Sequence, residues 1–405
     1  MSSLVPVLVG LVVLAGFFQI GFVFHAAYIL LGLLVVCRFW AARAIRGVRV
    51  GRTLDRRALL GDTLRVSVRV ENTSLWPLPW LIVRDRLPQA LAAPPTFTRL
   101  LSLLPRERII LTYDVVCRQR GLYRLGPASI SAGDVFGANR VDLDLSDVEH
   151  FVVYPRIVPL GGARLSSRTP FGHIKSDLHL YEDPSRVVGV RDYTPGDSFR
   201  LIHWTATAAT GRLQVRRLEP AISLQVAIVV NLSRAEYDTR HSYHATELAI
   251  TTAASVSNHL IELRQEVGVF TNGHDPLERR YCPATPVGKG RTQLINVLEM
   301  LGRIEIAERL EETTPFAGLL SGLLTSLPWG ATVLAITSHS APELWDRLLA
   351  LKRGGFEVGV VFCDYAGTIS YEQAEATATS LGIGCRRVWE EGDLDGWATR
   401  PWIAA

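Results

Sequence analysis

The chain has 405 residues, 48% of them hydrophobic and 20% charged, and carries a formal net charge of +4. That length calls for two or three folding units with sizeable cores. A charge this mild is not the concentrated basic stripe of a nucleic-acid binder. A mean hydropathy of +0.18 points instead to a membrane segment. The cysteines Cys37, Cys117, Cys282, Cys363 and Cys385 form no CxxC pair. They lack the paired spacing of a zinc site or disulfide framework, and read as buried free thiols of a reducing compartment.

From position 4 to position 36 there is no charged residue, and only Gln19 and His25 are clearly polar. Such a run exceeds the roughly 20 residues that span hydrocarbon as a helix. The stretch Phe17-Phe18-Gln19-Ile20-Gly21 reads as a tight turn, which predicts a transmembrane helical hairpin of residues 4–18 and 22–40. One long tilted helix is the alternative. No basic residue precedes the run, and its length is wrong for a secretory signal. Arg38, Arg43, Arg46, Arg49, Arg52, Arg56 and Arg57 follow, opposed in that stretch only by Asp55. Arginines beside a membrane segment favour the cytoplasmic side, so the bulk of the chain is expected there, with some attraction to anionic headgroups.

From 48 to about 154 the period changes to two. Residues 63–70 alternate polar and apolar with β-branched side chains, and 80–85, 108–116, 121–127 and 128–131 supply further strands between turn signals. Short strands without a helical period predict an all-β sandwich or an open barrel. Asp134 reads as a turn-capping residue.

Residues 182–219 are the most distinctive. Arg191, Asp192, Tyr193, Pro195, Gly196 and Asp197 lead into Arg200, Ile202, His203 and Trp204. Pro195-Gly196 sets a turn. Arginine pairs bidentately with carboxylates, so Arg191 or Arg200 against Asp197 or Glu182 predicts an ion-pair clamp. A partner-docking surface is the second reading of the same residues.

This stretch resembles the bacterial domain-of-unknown-function family fifty-eight, whose motif runs approximately R-x-Y-x-P-G-D-x-x-R-x-I-x-W-x-x-[ST]-A-R. Arg191, Tyr193, Pro195, Gly196, Asp197, Arg200, Ile202, Trp204, Thr207 and Ala208 match it, and Ala209 stands where the final arginine would be. The segments 120–127 and 134–137 and the N-terminal apolar run also resemble that family. The resemblance implies a membrane-anchored protein, often encoded beside a MoxR-type AAA+ ATPase and transglutaminase-like proteins. It implies no established activity.

After Pro220 strands alternate with helices. The apolar run 224–230 is followed by helical spacing at 243–264, a short strand at 267–270, and helices at 292–301 and 316–327. Beyond lie 331–337 (strand), 342–353 (helix), 357–363 (strand) and 371–381 (helix). This alternation predicts a parallel sheet covered on both faces, with its crevice at the carboxyl ends of the strands. In a von Willebrand factor A domain the first such end reads D-x-S-x-S and holds a divalent cation. Here Asn231 and Ala235 replace the aspartate and the second serine, and Ser338 stands where a later aspartate is usual. Magnesium wants one or two carboxylates, so no metal is expected. Gly288-Lys289-Gly290-Arg291-Thr292 lacks phosphate-loop spacing. His241 and His244 read as a solvated helix end. No G-x-S-x-G elbow supports a Ser233–His203–Asp197 triad.

The expected architecture is therefore multi-domain: a transmembrane hairpin (1–42), an all-β sandwich (43–155), a motif segment and linker (156–220), and an α/β Rossmann-like, von Willebrand factor A-like domain (221–405). The expected function is a membrane-anchored, non-enzymatic scaffold or adaptor at the cytoplasmic face of the cell membrane. It would need no cofactor, nucleic acid or small-molecule substrate, and its partner would be a MoxR-type AAA+ ATPase. A metal-dependent adhesion-type receptor and a hydrolase are the alternatives.

Overall fold

The computed structural model describes residues 21–133, 140–160, 182–194, 199–220, 225–237, 240–307, 314–364, 370–395 and 397, with the isolated helical positions 10, 13 and 16. The chain divides into two compact units. One comprises residues 1–156, 275–280 and 298–305; the other comprises 157–274, 281–297 and 306–405.

The expected transmembrane hairpin is overturned. Among the described residues no helix is long and apolar enough to cross a membrane. The would-be second arm belongs to α1 (Gly21–Ile45), which runs past Arg38 and Arg43 and ends in polypeptide. Ala44 and Ile45 are buried in a β-rich core. Trp40 Nε1 donates to the Pro77 carbonyl at 2.8 Å, and its ring lies 5.6 Å from that of Trp76. The physical reason is that the last turn of α1 spends its apolar side chains on protein. The would-be first arm, 4–18, lies outside the described residues except at positions 10, 13 and 16.

The first unit is β-rich. Its strands are β1 (Val48–Thr53), β2 (Arg57–Leu59), β3 (Thr63–Asn72), β4 (Leu78–Arg86), β5 (Thr96–Leu103), β6 (Arg108–Val116), β7 (Gly121–Leu125), β8 (Ala128–Gly133), β9 (Arg140–Asp144) and β10 (Glu149–Tyr154). They form sheets of order β1-β3-β6, β2-β10-β7 and β5-β4-β8-β9. β3 shows why: Leu64, Val66, Val68 and Val70 are buried while Arg65 and Arg69 face solvent, the period of a strand with one wet face. Each such side chain contributes about 1.5–3 kcal/mol on burial. These valines share a core with Leu81, Val83, Ile130, Phe151 and Val153.

A polar cluster sits at the edge of that core. Arg52 and Asp85 have side chains only 6% and 0% exposed. Arg52 Nε and Nη2 donate to the two Asp85 oxygens at 3.0 and 2.5 Å, and Nη1 donates to the Leu125 carbonyl at 3.2 Å. Tyr113 donates its hydroxyl to Asp85 at 2.7 Å.

The second unit contains β11 (Glu182–Asp192), α2 (Trp204–Thr210), β12 (Gln214–Pro220), β13 (Gln225–Val230), α3 (Ser242–Glu262) and β14 (Glu266–Thr271). Two short strands, β15 (His274–Asp275) and β16 (Arg280–Tyr281), precede β17 (Ala284–Gly288) and α4 (Gly290–Arg303) in the chain. Then come α5 (Phe316–Ser326), β18 (Thr332–Thr337), α6 (Pro342–Arg353), β19 (Glu357–Cys363), α7 (Tyr371–Ser380) and β20 (Gly384–Val388). β11 and β12 form an antiparallel pair. The main sheet has six strands in the order β17-β14-β13-β18-β19-β20, parallel except for the edge pair β14–β17. Every residue of β18 is buried, as is 226–230 of β13, the pattern of strands covered on both faces. The chain runs outward from β13 to β14 and then returns to β18 on the other side. This reversal opens a crevice at the carboxyl ends of β13 and β18.

Candidate functional site

The sheet register builds the crevice. Val230 of β13 is level with Thr271 of β14 and with Ile336 of β18. One residue further along each strand, Asn231, Asn272 and Thr337 form a row. All three are 0% exposed.

Their hydrogen bonds fix the orientation of each amide. Asn272 Oδ1 accepts from Leu232 N at 2.6 Å, so its Nδ2 is the donor to Asn231 Oδ1 at 3.1 Å. Asn231 Oδ1 also accepts from Ser233 N at 3.2 Å. The Nδ2 of Asn231 must therefore point the other way, and it donates to Glu236 Oε2 at 2.8 Å and to Thr337 Oγ1 at 3.1 Å. The second oxygen of Glu236 accepts from Phe316 N at 3.1 Å, at the first turn of α5. There the helix dipole favours a carboxylate. Tyr237 donates to the Asn231 carbonyl at 2.5 Å. Burial, with the neighbouring Cys363 next in effect, pushes the Tyr237 phenol well above the ordinary tyrosine range. The Ser233 hydroxyl is buried without a hydrogen-bond partner among the described residues.

A cavity of about 780 Å³ opens at the same strand ends, lined by Tyr237, Ser338, His339, Trp345, Asp346 and Gln373 among others. Among the described residues no group of three or more His, Cys, Asp or Glu side chains could hold a metal ion.

The motif segment occupies β11, β12 and the short α2 between them. Arg191 Nη1 donates to the Asp192 carbonyl at 3.3 Å and to Thr194 Oγ1 at 3.2 Å. The Tyr193 ring stacks on Phe199 with centroids 5.7 Å apart. His203 caps α2, its Nδ1 accepting from Ala206 N at 3.1 Å. That imidazole nitrogen is thus spent on a helix start. Ile202 and Val215 are buried beneath, while Phe199 is 70% and Trp204 68% exposed. Pro195, Gly196 and Asp197 lie outside the described residues, as does the side chain of Arg200, so the expected clamp falls there too.

Sequence reasoning singled out Asn231, Ser233, Ala235 and Ser338 but missed Asn272 and Glu236. Asn272-Gly273 reads as a turn after a strand. Only the parallel register makes it the neighbour of Asn231. Elsewhere, Gly290 opens α4 with φ +79 and Thr292 is exposed in its first turn. The following Gln293 donates to the Val267 and Pro286 carbonyls, both at 2.7 Å, so the glycine-rich loop is tied to the sheet edge.

Comparison with known proteins gives a family likeness and little else. The uncharacterized protein YeaD of Bacillus subtilis (strain 168) is 22% identical over 265 residues, 64% of this chain and 64% of that protein. The match thus spans a little under two thirds of the relative's length. Among solved structures, the CARDB domain of a Pyrococcus furiosus protein shares 21% identity over 26% of this chain and 89% of its own, with a TM-score of 0.20. The region of Escherichia coli alpha-2-macroglobulin from domain MG7 to the C-terminus shares 21% over 27% of this chain and 16% of that one, with a TM-score of 0.23. Likenesses this small carry nothing about function. The model of the family described as "Protein of unknown function DUF58" matches residues 189–327. Through that segment, which runs from β11 through α5, the chain is similar to the DUF58 family.

Proposed function

We propose that this chain is a non-enzymatic scaffold or adaptor whose motif hairpin docks a cytoplasmic protein, with a MoxR-type AAA+ ATPase as the partner. The observation that carries the proposal is the exposure of two large aromatics on a fixed frame. Trp204 and Phe199 are 68% and 70% exposed, yet the backbone beneath them is pinned. His203 N donates to Gln214 O at 2.8 Å, Gln214 N donates to Thr207 Oγ1 at 3.0 Å, and Gly211 N closes α2 onto Thr207 O at 2.9 Å. Aromatic side chains held out from a rigid frame are the residues that dominate protein–protein binding energy. The proposal includes attachment at the cytoplasmic face of the cell membrane. It is supported by the arginines from Arg38 to Arg57 and by the exposed Phe22, Tyr28 and Ile29 of α1.

The test is capture of the ATPase from membranes by the intact chain, with Trp204→Ala and Phe199→Ala beside it. Both side chains are exposed, so melting should stay near wild type. Capture should weaken by roughly 30-fold or more for a hot-spot aromatic. Capture unchanged in both variants would overturn the reading.

A further inference from the structure

The loop after the first strand is where a D-x-S-x-S arrangement would place a divalent cation. The residues present do not fit one. A cation there needs oxygen atoms, and above all carboxylates, turned toward it. Here the side chain at the aspartate position presents N–H groups. The orientation is not free to reverse, because the chain of bonds from Leu232 N through Asn272 to Asn231 Oδ1 fixes which end of the amide is which. Among the described residues, the charged side chain that accepts an Asn231 N–H is Glu236, at 2.8 Å.

We infer that Asn231 replaces the cation: its amide, donating to the Glu236 carboxylate and the Thr337 hydroxyl, ties the ends of β13 and β18 to the start of α5 without a metal ion. The two residue choices are coupled. An aspartate at 231 would set a second carboxylate at hydrogen-bonding distance from Glu236, and two carboxylates that close cannot both ionise without a cation between them. An asparagine turns the repulsion into a hydrogen bond. The Glu236 charge is then held by two neutral donors, the Asn231 amide and the Phe316 N–H, which suffices for a carboxylate. The buried Ser233 hydroxyl, without a hydrogen-bond partner among the described residues, is a group a cation could still claim. It follows that any assembly at these strand ends is independent of divalent ions, unlike a face that recruits a partner carboxylate through a bound metal.

The test is thermal melting of the full chain in EDTA and in millimolar Mg²⁺ or Mn²⁺. The wild type should melt at the same temperature in all three. Asn231→Asp should melt lower in EDTA and recover with either metal, and adding Glu236→Gln to it should restore melting in EDTA and abolish the metal response. If Asn231→Asp alone does not fold, recovery of folding by the added Glu236→Gln supports the inference, and its failure overturns it. A saturable rise in wild-type melting with Mg²⁺ or Mn²⁺, lost in Ser233→Ala, would show that the site takes a cation as it stands. So would a metal-indifferent Asn231→Asp as stable as the wild type overturn it.

Discussion

The guanidinium of Arg52 grips the carboxylate of Asp85 at two points inside the β-rich unit, and the Tyr113 hydroxyl completes the same carboxylate. Removing one partner leaves a buried charge uncompensated. Asp85→Ala or Arg52→Ala should each cost about 3–5 kcal/mol in denaturant unfolding, and Tyr113→Phe about 1.5–3 kcal/mol. Replacing all three by apolar residues of similar volume (Arg52→Met, Asp85→Leu, Tyr113→Phe) should cost less than either charge-removing variant. A triple variant as damaged as the sum of the singles would show that the cluster contributes net stability.

Tyr113 also gives the unit an alkaline limit. Burial, and then the Asp85 charge, raise its phenol above the ordinary value of 10.0. A group whose folded-state pKa is raised contributes stability that is fully present below its unfolded value and is lost as pH rises past it. Stability should therefore decline above about pH 10, the unfolded tyrosine value. Tyr113→Phe should make that decline shallower by about one proton's slope. An unchanged alkaline slope in unfolding measured between neutral and strongly basic pH would refute the assignment.

Glu236 serves two elements at once, so Glu236→Ala removes the acceptor at the start of α5 and strands the Asn231 amide. Loss of a helix-start acceptor costs about 0.5–2 kcal/mol and a stranded buried donor about 1–3 kcal/mol. Hydrogen exchange should show the first turn of α5 opening more readily in this variant, while the far end of the sheet at β20 keeps its protection.

Among the described cysteines, Cys117, Cys363 and Cys385 are buried and Cys282 is half-buried. Burial pushes the Cys363 and Cys385 thiols up to about 12 and raises Cys117 as well. Thiolate is the reactive form. Peptide mapping after brief alkylation near neutral pH should find Cys282 labelled first, and label at Cys363 or Cys385 only after unfolding.

What could be read in advance follows from the range of each interaction. Strand β3 announces itself because period-two alternation is a local consequence of one buried face, and the observed Thr63–Asn72 contains the expected 63–70. The apolar run 224–230 likewise became β13. The end of α1 was misread because an apolar turn looks the same whether its neighbour is lipid or a protein core. Asn272 and Glu236 escaped for a different reason. The Leu232–Asn272 contact joins residues 40 apart in sequence, and only strand register brings such positions level. The Arg52–Asp85 pair, 33 apart, is hidden in the same way.

The β-rich unit is discontinuous in sequence, and this bears on its birth at the ribosome. Residues 1–156 are completed by 275–280 and 298–305. Within that unit Arg120 donates to the carbonyls of Leu301 and Ile304 at 3.1 and 2.7 Å, across 181 and 184 residues. Arg57 pairs with Glu299 at 2.9 Å, and Arg303 with the buried Asp275 at 2.8 Å. At a synthesis rate of about 5–20 residues per second, the nascent strands wait roughly 10–40 seconds before those partners exist. A chain released early, near residue 156, would carry an Arg120 without its carbonyls. The first 156 residues are translated first, but their unit is not complete until residue 305 has been made.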